Sequence, residues 1–357
     1  MALVTENKNY SVEIIKDDDD SELIKLSFND EHNFNLFRYR KINKYTIQQL
    51  IDDAVFATFP SSFNDPNDST FIYKEETIKS YIKNFLEGNN NFKDELLSTY
   101  KLSQDKFDSL IDILYKTFVD SNPSLNNFPL NLVAVSCFCC EVDKDYMWAH
   151  YSSNSTGFAL EYKYIELVKL VKEHENFSYG LTKKYFGSIF SNVNPHLKYP
   201  LLPIIYVDEK YDFSWAYKKI VVLLLKALLE RKEINPISFA LESFPFVFSD
   251  SDKSKGDDTL LANIYGRKKL CWQFEREWRL FAYNTNPLLG DINSPYVEVG
   301  HLAPKAIYLG AKIKHHNETI LINIAKKKNM AIYKMEHKVV EDTIKLVSIP
   351  IFLPGNS

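Results

Sequence analysis

The sequence predicts an α+β domain. Three observations carry that reading. Apolar or alternating runs of strand length recur from residue 10 to residue 349, stretches with helical periodicity stand between them, and no Gly/Ser-rich linker, Pro-rich linker or internal repeat divides the chain.

The elements follow in chain order. Residues 10–16 (YSVEIIK) and 22–28 (ELIKLSF) read as two strands around an acidic tip, Asp17 to Asp20. They make an N-terminal β-hairpin extension over 1–34. A calcium loop would spread its oxygen ligands over about twelve residues, so the four Asp read as a solvated turn. A single α+β domain then fills 35–357. It begins with NLFRYR (35–40), a short strand ending in charge, and a helix with Ile47, Leu50, Ile51 and Ala54 on one face. The strand VFATF (55–59) runs into the turn-rich loop PSSFNDPND (60–68).

A helical insertion is expected over about 73–120, where Ser103 would cap a stripe of Phe107, Leu110, Ile111, Leu114 and Phe118. SNPSLNNFP (121–129) is a connector. LNLVAVSCF (130–138) is a buried strand, YMWAHY (146–151) a short helix and GFALEYK (157–163) a strand. Residues 165–200 are mixed in signal. LPIIYV (202–207) is a core strand, helices fill about 213–268, and QFEREWRLFAY (273–283) reads as one strand. The end holds strands at 305–310, 331–335 and 343–349, with a helix over 317–328.

Composition excludes several classes. The chain has 357 residues, 45% hydrophobic and 25% charged, which rules out a disordered, collagen-like or disulfide-scaffold protein. A net charge of −4 supplies no general basic field for nucleic acid or an anionic membrane. The start MALVTENKNYS lacks a basic segment followed by an apolar run. The most apolar stretch, Ile220 to Leu229, is too short to span a bilayer and carries Lys226. A cytoplasmic chain with no membrane partner is expected. The clustered cysteines of VSCFCC match no common zinc spacing and read as small strand residues. Only six of the 43 basic residues are Arg, and four of them fall in two short segments, Arg38/Arg40 and Arg276/Arg279. Arg is a forked, permanent cation that Lys does not replace at a bidentate site.

Four constellations are candidates for chemistry. On a strand, Glu275, Glu277 and Arg279 would share one face of FEREWRL, with Phe274, Arg276, Trp278 and Leu280 on the other. Two carboxylates so placed raise one pKa unless cations compensate, and such a pair suits ribose binding, base catalysis or a cationic transition state. A solvent face balanced by Lys and Arg is the alternative. Arg38 and Arg40 would share a face of NLFRYR, with Tyr39 opposite, and suit a phosphate or carboxylate. Asn64 and Asp65 of FNDP read first as turn formers. In MWAHYS, His150 and Tyr151 follow Trp148, and the aromatic rings offer a stacking platform. No P-loop, dinucleotide glycine fingerprint, HExxH, GxSxG or kinase set occurs. His315 and His316 open the last helix as surface residues, and Lys326 to Lys328 sit at its C-terminus, where cations suit the dipole.

Taken together, the motifs resemble those of the bacterial domain of unknown function 2971. FRYR, PSSFNDPND, SCF…MWAHYS…GFALEY, KKLCWQFEREWRL and AIYLG occur in that family's order, from about residue 36 to 335. Asn67 departs from the family pattern, which usually has an aromatic residue after FNDP.

The plan is also similar, more distantly, to the ADP-ribosyltransferase fold, which implies a split mixed or antiparallel sheet core. That resemblance implies NAD as substrate and ADP-ribose transfer to a protein or nucleic acid acceptor, or NAD hydrolysis. It makes Glu277 and Glu275, with Tyr151 and His150, the catalytic set. Glu277 would hold the nicotinamide ribose and stabilise oxocarbenium character, and Glu275 would orient the acceptor. Arg38 or Arg40 would bind the pyrophosphate, and Tyr151 or Trp148 would stack on nicotinamide. Ser136 or Tyr151 would fill the second motif. Tyr39, Asn64, Asp65 and Arg279 complete the cofactor-facing set, and no metal is implied. Such an activity fits a toxin or antiviral-defence effector. Two readings stand beside it: a non-enzymatic binding or regulatory module, and a metal-dependent nuclease using Asp65, His150, Glu275 and Glu277.

Overall fold

Strand alternation and helical stripes place most elements where the sequence reading put them. The computed structural model describes residues 4–6, 10–16, 22–28, 34–120, 133–171, 201–230, 263–283 and 296–355. The acidic tip Asp17 to Asp20 and the connector 121–129 lie outside the described residues. The fold is α+β, built on a large mixed sheet.

Eight strands follow one path across that sheet: Tyr296–His301, Ala54–Thr58, Val133–Cys139, Asn35–Arg40, Phe158–Lys163, Ala306–Leu309, Ala331–Val340 and Thr343–Phe352. Glu277–Tyr283 leaves the path and pairs with both Val133–Cys139 and Leu201–Pro203. Along the path only Ala306–Leu309 and Ala331–Val340 run parallel, joined by the helix His315–Lys327. A parallel pair needs such a crossover.

The sheet opens around Val133–Cys139. This strand pairs along its whole length with Glu277–Tyr283, from Glu277 opposite Cys139 to Tyr283 opposite Val133. It meets Asn35–Arg40 through the single pair Phe37 and Cys139, and Ala54–Thr58 through Thr58 and Val135. Three strands therefore splay from one, and a crevice lies between them.

Asn35–Arg40 separates two apolar layers. Leu36 belongs to the main core, and Phe37 and Tyr39 pack on a smaller cluster around Trp148, Tyr308 and Met335. Arg38 thus projects from the same face as buried Leu36. Gly157 holds this strand's end in place: a Cβ there would lie 2.1 Å from the Arg40 carbonyl oxygen, so only glycine permits the approach. The N-terminal strands 10–16 and 22–28 pair antiparallel as read. They dock through Tyr10, whose ring meets Trp278 edge-on at 4.8 Å. Leu110, Ile111 and Leu114 are buried as the stripe required, but the Ser103 side chain makes no capping bond.

Two expectations are corrected. Residues 213–268 are not helical throughout. The helix Ser214–Leu229 is followed, after residues outside the description, by the two-residue strand Arg267–Lys268, parallel to Ile205–Tyr206. Nor is 273–283 one strand. Leu270–Glu275 forms a 3₁₀ turn, Arg276 takes a left-handed conformation (φ 45°, ψ 48°), and the strand begins at Glu277. Among the described residues no helix is long and apolar enough to cross a membrane.

Candidate functional site

The crevice holds a cavity of about 280 Å³ lined by most of the chain's unusual charges. This lies just below the range of about 300–1,000 Å³ usual for ligand sites. Arg38 and Arg40 project into it from the first long strand of the sheet, Cys137 and Cys139 from its central strand, and Glu277 and Arg279 from the strand paired with that one. Lys268, Glu275, Tyr151, Asn64 and Asp68 close it from flanking segments.

The left-handed turn at Arg276 decides how the two glutamates meet. It sends the Arg276 side chain outward to Glu141 (Nη1 to Oε1, 2.6 Å), while Glu275 and Glu277 both turn inward and are buried. They converge on one ammonium: Lys268 Nζ donates to Glu275 Oε2 at 2.6 Å and to Glu277 Oε2 at 3.0 Å. Asp68 Oδ2 lies 3.7 Å from the same nitrogen. Arg279, wholly buried, grips Asp68 with both terminal nitrogens (2.7 and 2.6 Å) and donates from Nε to Glu277 Oε1 at 2.8 Å. Three carboxylates thus enclose two cations, the arrangement that makes charge tolerable in a low-dielectric interior.

The two glutamates are driven apart electrostatically. Burial alone would raise Glu277, but Arg279 and then Lys268 override it and hold the carboxyl well below its usual range. Burial also raises Glu275. Lys268 opposes that, the charge of Glu277 adds to it, and the net shift is upward. The Tyr151 hydroxyl donates to the free oxygen of Glu275. Burial and the Glu275 charge push that phenol far up, so it stays protonated. Of the two carboxyls, Glu275 therefore takes up a proton more readily than Glu277.

The opposite wall is different in kind. Buried Arg38 donates to the Phe56 carbonyl at 2.5 Å and lies over the Phe138 ring. Half-buried Arg40 donates to Gln49 Oε1 at 2.9 Å. Among the described residues neither meets a carboxylate. Burial, with the Arg40 charge second, lowers Arg38 to about 9, and burial lowers Arg40 too. Two cations forced together without a counter-charge mark a place for an anion.

Other candidates lie elsewhere. Trp148 is not a stacking platform: it is buried, donates from Nε1 to the Val142 carbonyl at 2.7 Å and meets Tyr39 edge-on. Tyr39 does border the cavity, but its hydroxyl donates to the Glu141 carbonyl and its ring packs against Trp148. Ser136 is on the opposite strand face from Val135 and Cys137, and its hydroxyl has no hydrogen-bond partner among the described residues. Asp65 makes a turn, accepting from the Asn67 backbone at 2.8 Å. His150 is exposed outside the cavity, beside Trp272 and Phe274. The proposed metal set of Asp65, His150, Glu275 and Glu277 does not form. Among the described residues no three His, Cys, Asp or Glu side chains converge as ligands, and Lys268 stands between the two glutamates. Burial, with the Glu277 charge second, pushes the Cys137 thiol well up. Cys139 is likewise raised, so neither is a thiolate nucleophile.

Lys268 and Asp68 are the residues the sequence reading missed. Both sit inside quoted motifs, Lys268 in KKLCWQFEREWRL and Asp68 closing PSSFNDPND. No periodicity links either to Glu277 or Arg279, so only the motif's length was a signal.

Residues 147–280 match the family model of a protein of unknown function, DUF2971. The matched stretch takes in Tyr151, Lys268 and both glutamates, and it supports the family resemblance read from the motifs. FRYR, FNDP and AIYLG lie outside it, so the match is narrower than the span of those motifs. The comparisons with curated proteins and with solved structures return no match.

Proposed function

We propose that the cavity binds NAD and that the chain cleaves its nicotinamide–ribose bond, passing ADP-ribose to a protein or nucleic acid acceptor or to water. One observation carries this reading. Two arginines that meet no carboxylate among the described residues face, across a single cavity, two glutamates whose proton affinities are driven in opposite directions. The pyrophosphate supplies the anionic charge that Arg38 and Arg40 lack. The nicotinamide ribose then lies toward Glu277, whose fixed negative charge favours the positive charge that develops as the C1′–N bond breaks. Nicotinamide leaves with the bonding electrons, the acceptor's oxygen or nitrogen bonds C1′, and the acceptor's proton passes to Glu275. The resemblance to ADP-ribosyltransferases read from the sequence motifs points to the same assignment.

The test is nicotinamide release from NAD by the purified chain, with and without cell lysate as acceptor. Glu277→Gln is expected to lower the rate by about 100-fold or more, as loss of one electrostatic group does elsewhere. No release under either condition overturns the reading. A second reading, a binding module without turnover, draws on the pairing of both Glu277 oxygens within the protein. It predicts NAD affinity by calorimetry with no nicotinamide formed.

A further inference from the structure

Lys268 occupies a position that the reaction itself does not explain. Its ammonium is buried at the cavity wall, where it touches both glutamates and approaches Asp68. The count of cations per carboxylate is unequal. Glu277 is met by Arg279 on both oxygens (2.8 and 3.4 Å) and by Lys268 on one of them. Among the described residues Glu275 has Lys268 as its one cation, on one oxygen, and the Tyr151 hydroxyl on the other.

We propose that Lys268 is a positioning residue: it fixes Glu275 and Glu277 side by side at the cavity and, by giving Glu275 fewer cationic contacts than Glu277, leaves that carboxyl as the one that exchanges protons with a bound ligand. The proposal rests on reading the cavity as a reactive site, but its physical content is testable without any substrate. A proton added to the cluster goes to the carboxylate with the fewest cations, because Glu277 would forfeit two ion pairs and Glu275 one. The groups facing Glu275 are consistent with this. They are Tyr151 from the helix Asp145–Tyr151, Lys268, Glu277, Cys139 on the central strand and Tyr206 on Ile205–Tyr206. Lys268 is the one cation among them. With Lys268 removed, Glu277 keeps Arg279, whereas Glu275 keeps no cation among the described residues.

The experiment is a carbon-13 NMR titration of the full chain labelled at glutamate side-chain carboxyls, with Glu275→Gln assigning the Glu275 resonance. The expected result is that Glu275 titrates above the ordinary glutamate value of about 4.3. In K268M it should move up by about one unit or more, the effect of losing an adjacent opposite charge, and in K268R it should return toward the wild-type value. A Glu275 that titrates at or below the ordinary value in the wild type overturns the proposal, as does a titration unchanged in K268M. Should K268M fail to fold, K268Q carries the same expectation. The outcome is separable from the NAD reading: absent nicotinamide release with this titration intact overturns NAD cleavage alone, and the reverse overturns the role of Lys268 alone.

Discussion

At one end of the cavity Arg38 and Arg40 find, among the described residues, carbonyl and amide oxygens rather than carboxylates as partners; at the other, Lys268 and Arg279 are wrapped by Asp68, Glu275 and Glu277. Both ends remove cations from water, and the difference lies in who supplies the counter-charge. The carboxylate end is closed within the protein, so its charges hold neighbouring segments together. Arg279 ties the loop carrying Asp68 to the strand carrying Glu277. The arginine end is open, so its burial costs the fold something that an arriving anion would offset. Cations in one crevice thus divide into those neutralised by the protein's own carboxylates and those that meet no carboxylate among the described residues.

The largest expected effect breaks the closed end. Arg279→Met leaves Asp68 and Glu277 buried with one cation fewer, and urea unfolding should show a loss of about 3–5 kcal/mol, the cost of stranding a buried charge. The same operation at the open end should do the opposite. In R38M/R40M, unfolding free energy should stay within about 1 kcal/mol of wild type or rise, because no carboxylate is stranded. Affinity for ADP by calorimetry should instead fall at least about tenfold, the loss of charge-assisted bonds. If this pair destabilises as much as Arg279→Met, the two ends do not differ as argued. The smallest effect sharpens the boundary between them. Arg276→Gly removes an exposed ion pair to Glu141 worth about 0–1 kcal/mol. It also relieves a left-handed conformation that costs a non-glycine residue about 1–2 kcal/mol. Thermal unfolding should therefore shift little, and not downward by more than about 1 kcal/mol.

Strand-level features were open to sequence reading where alternation runs unbroken. YSVEIIK and ELIKLSF pair as read, and Arg38 and Arg40 both reach the cavity from NLFRYR as their shared parity required. QFEREWRL misled because its alternation continues across a break. No glycine or asparagine marks the left-handed residue at 276, so a 3₁₀ turn and a strand read as one element. The error moved Glu275 off the strand yet kept it beside Glu277, because Lys268 draws the two together. Trp148 and Tyr151 show a similar limit. Both lie on one short helix, and only packing against Tyr39 turns the indole away while the phenol reaches Glu275.

By itself the sequence determined the α+β class, the strands that carry the charged motifs, and the facial parity of Arg38 with Arg40 and of Glu277 with Arg279. These properties repeat every two to four residues and are set by local backbone geometry. Only the tertiary structure decided which charges neutralise one another. Arg279 finds Asp68 across 211 residues of chain, and Lys268 finds two glutamates from a two-residue strand in another sheet. Ion pairing depends on distances of a few ångströms in a medium with little screening, and those distances are fixed by how the strands splay, not by any spacing along the chain.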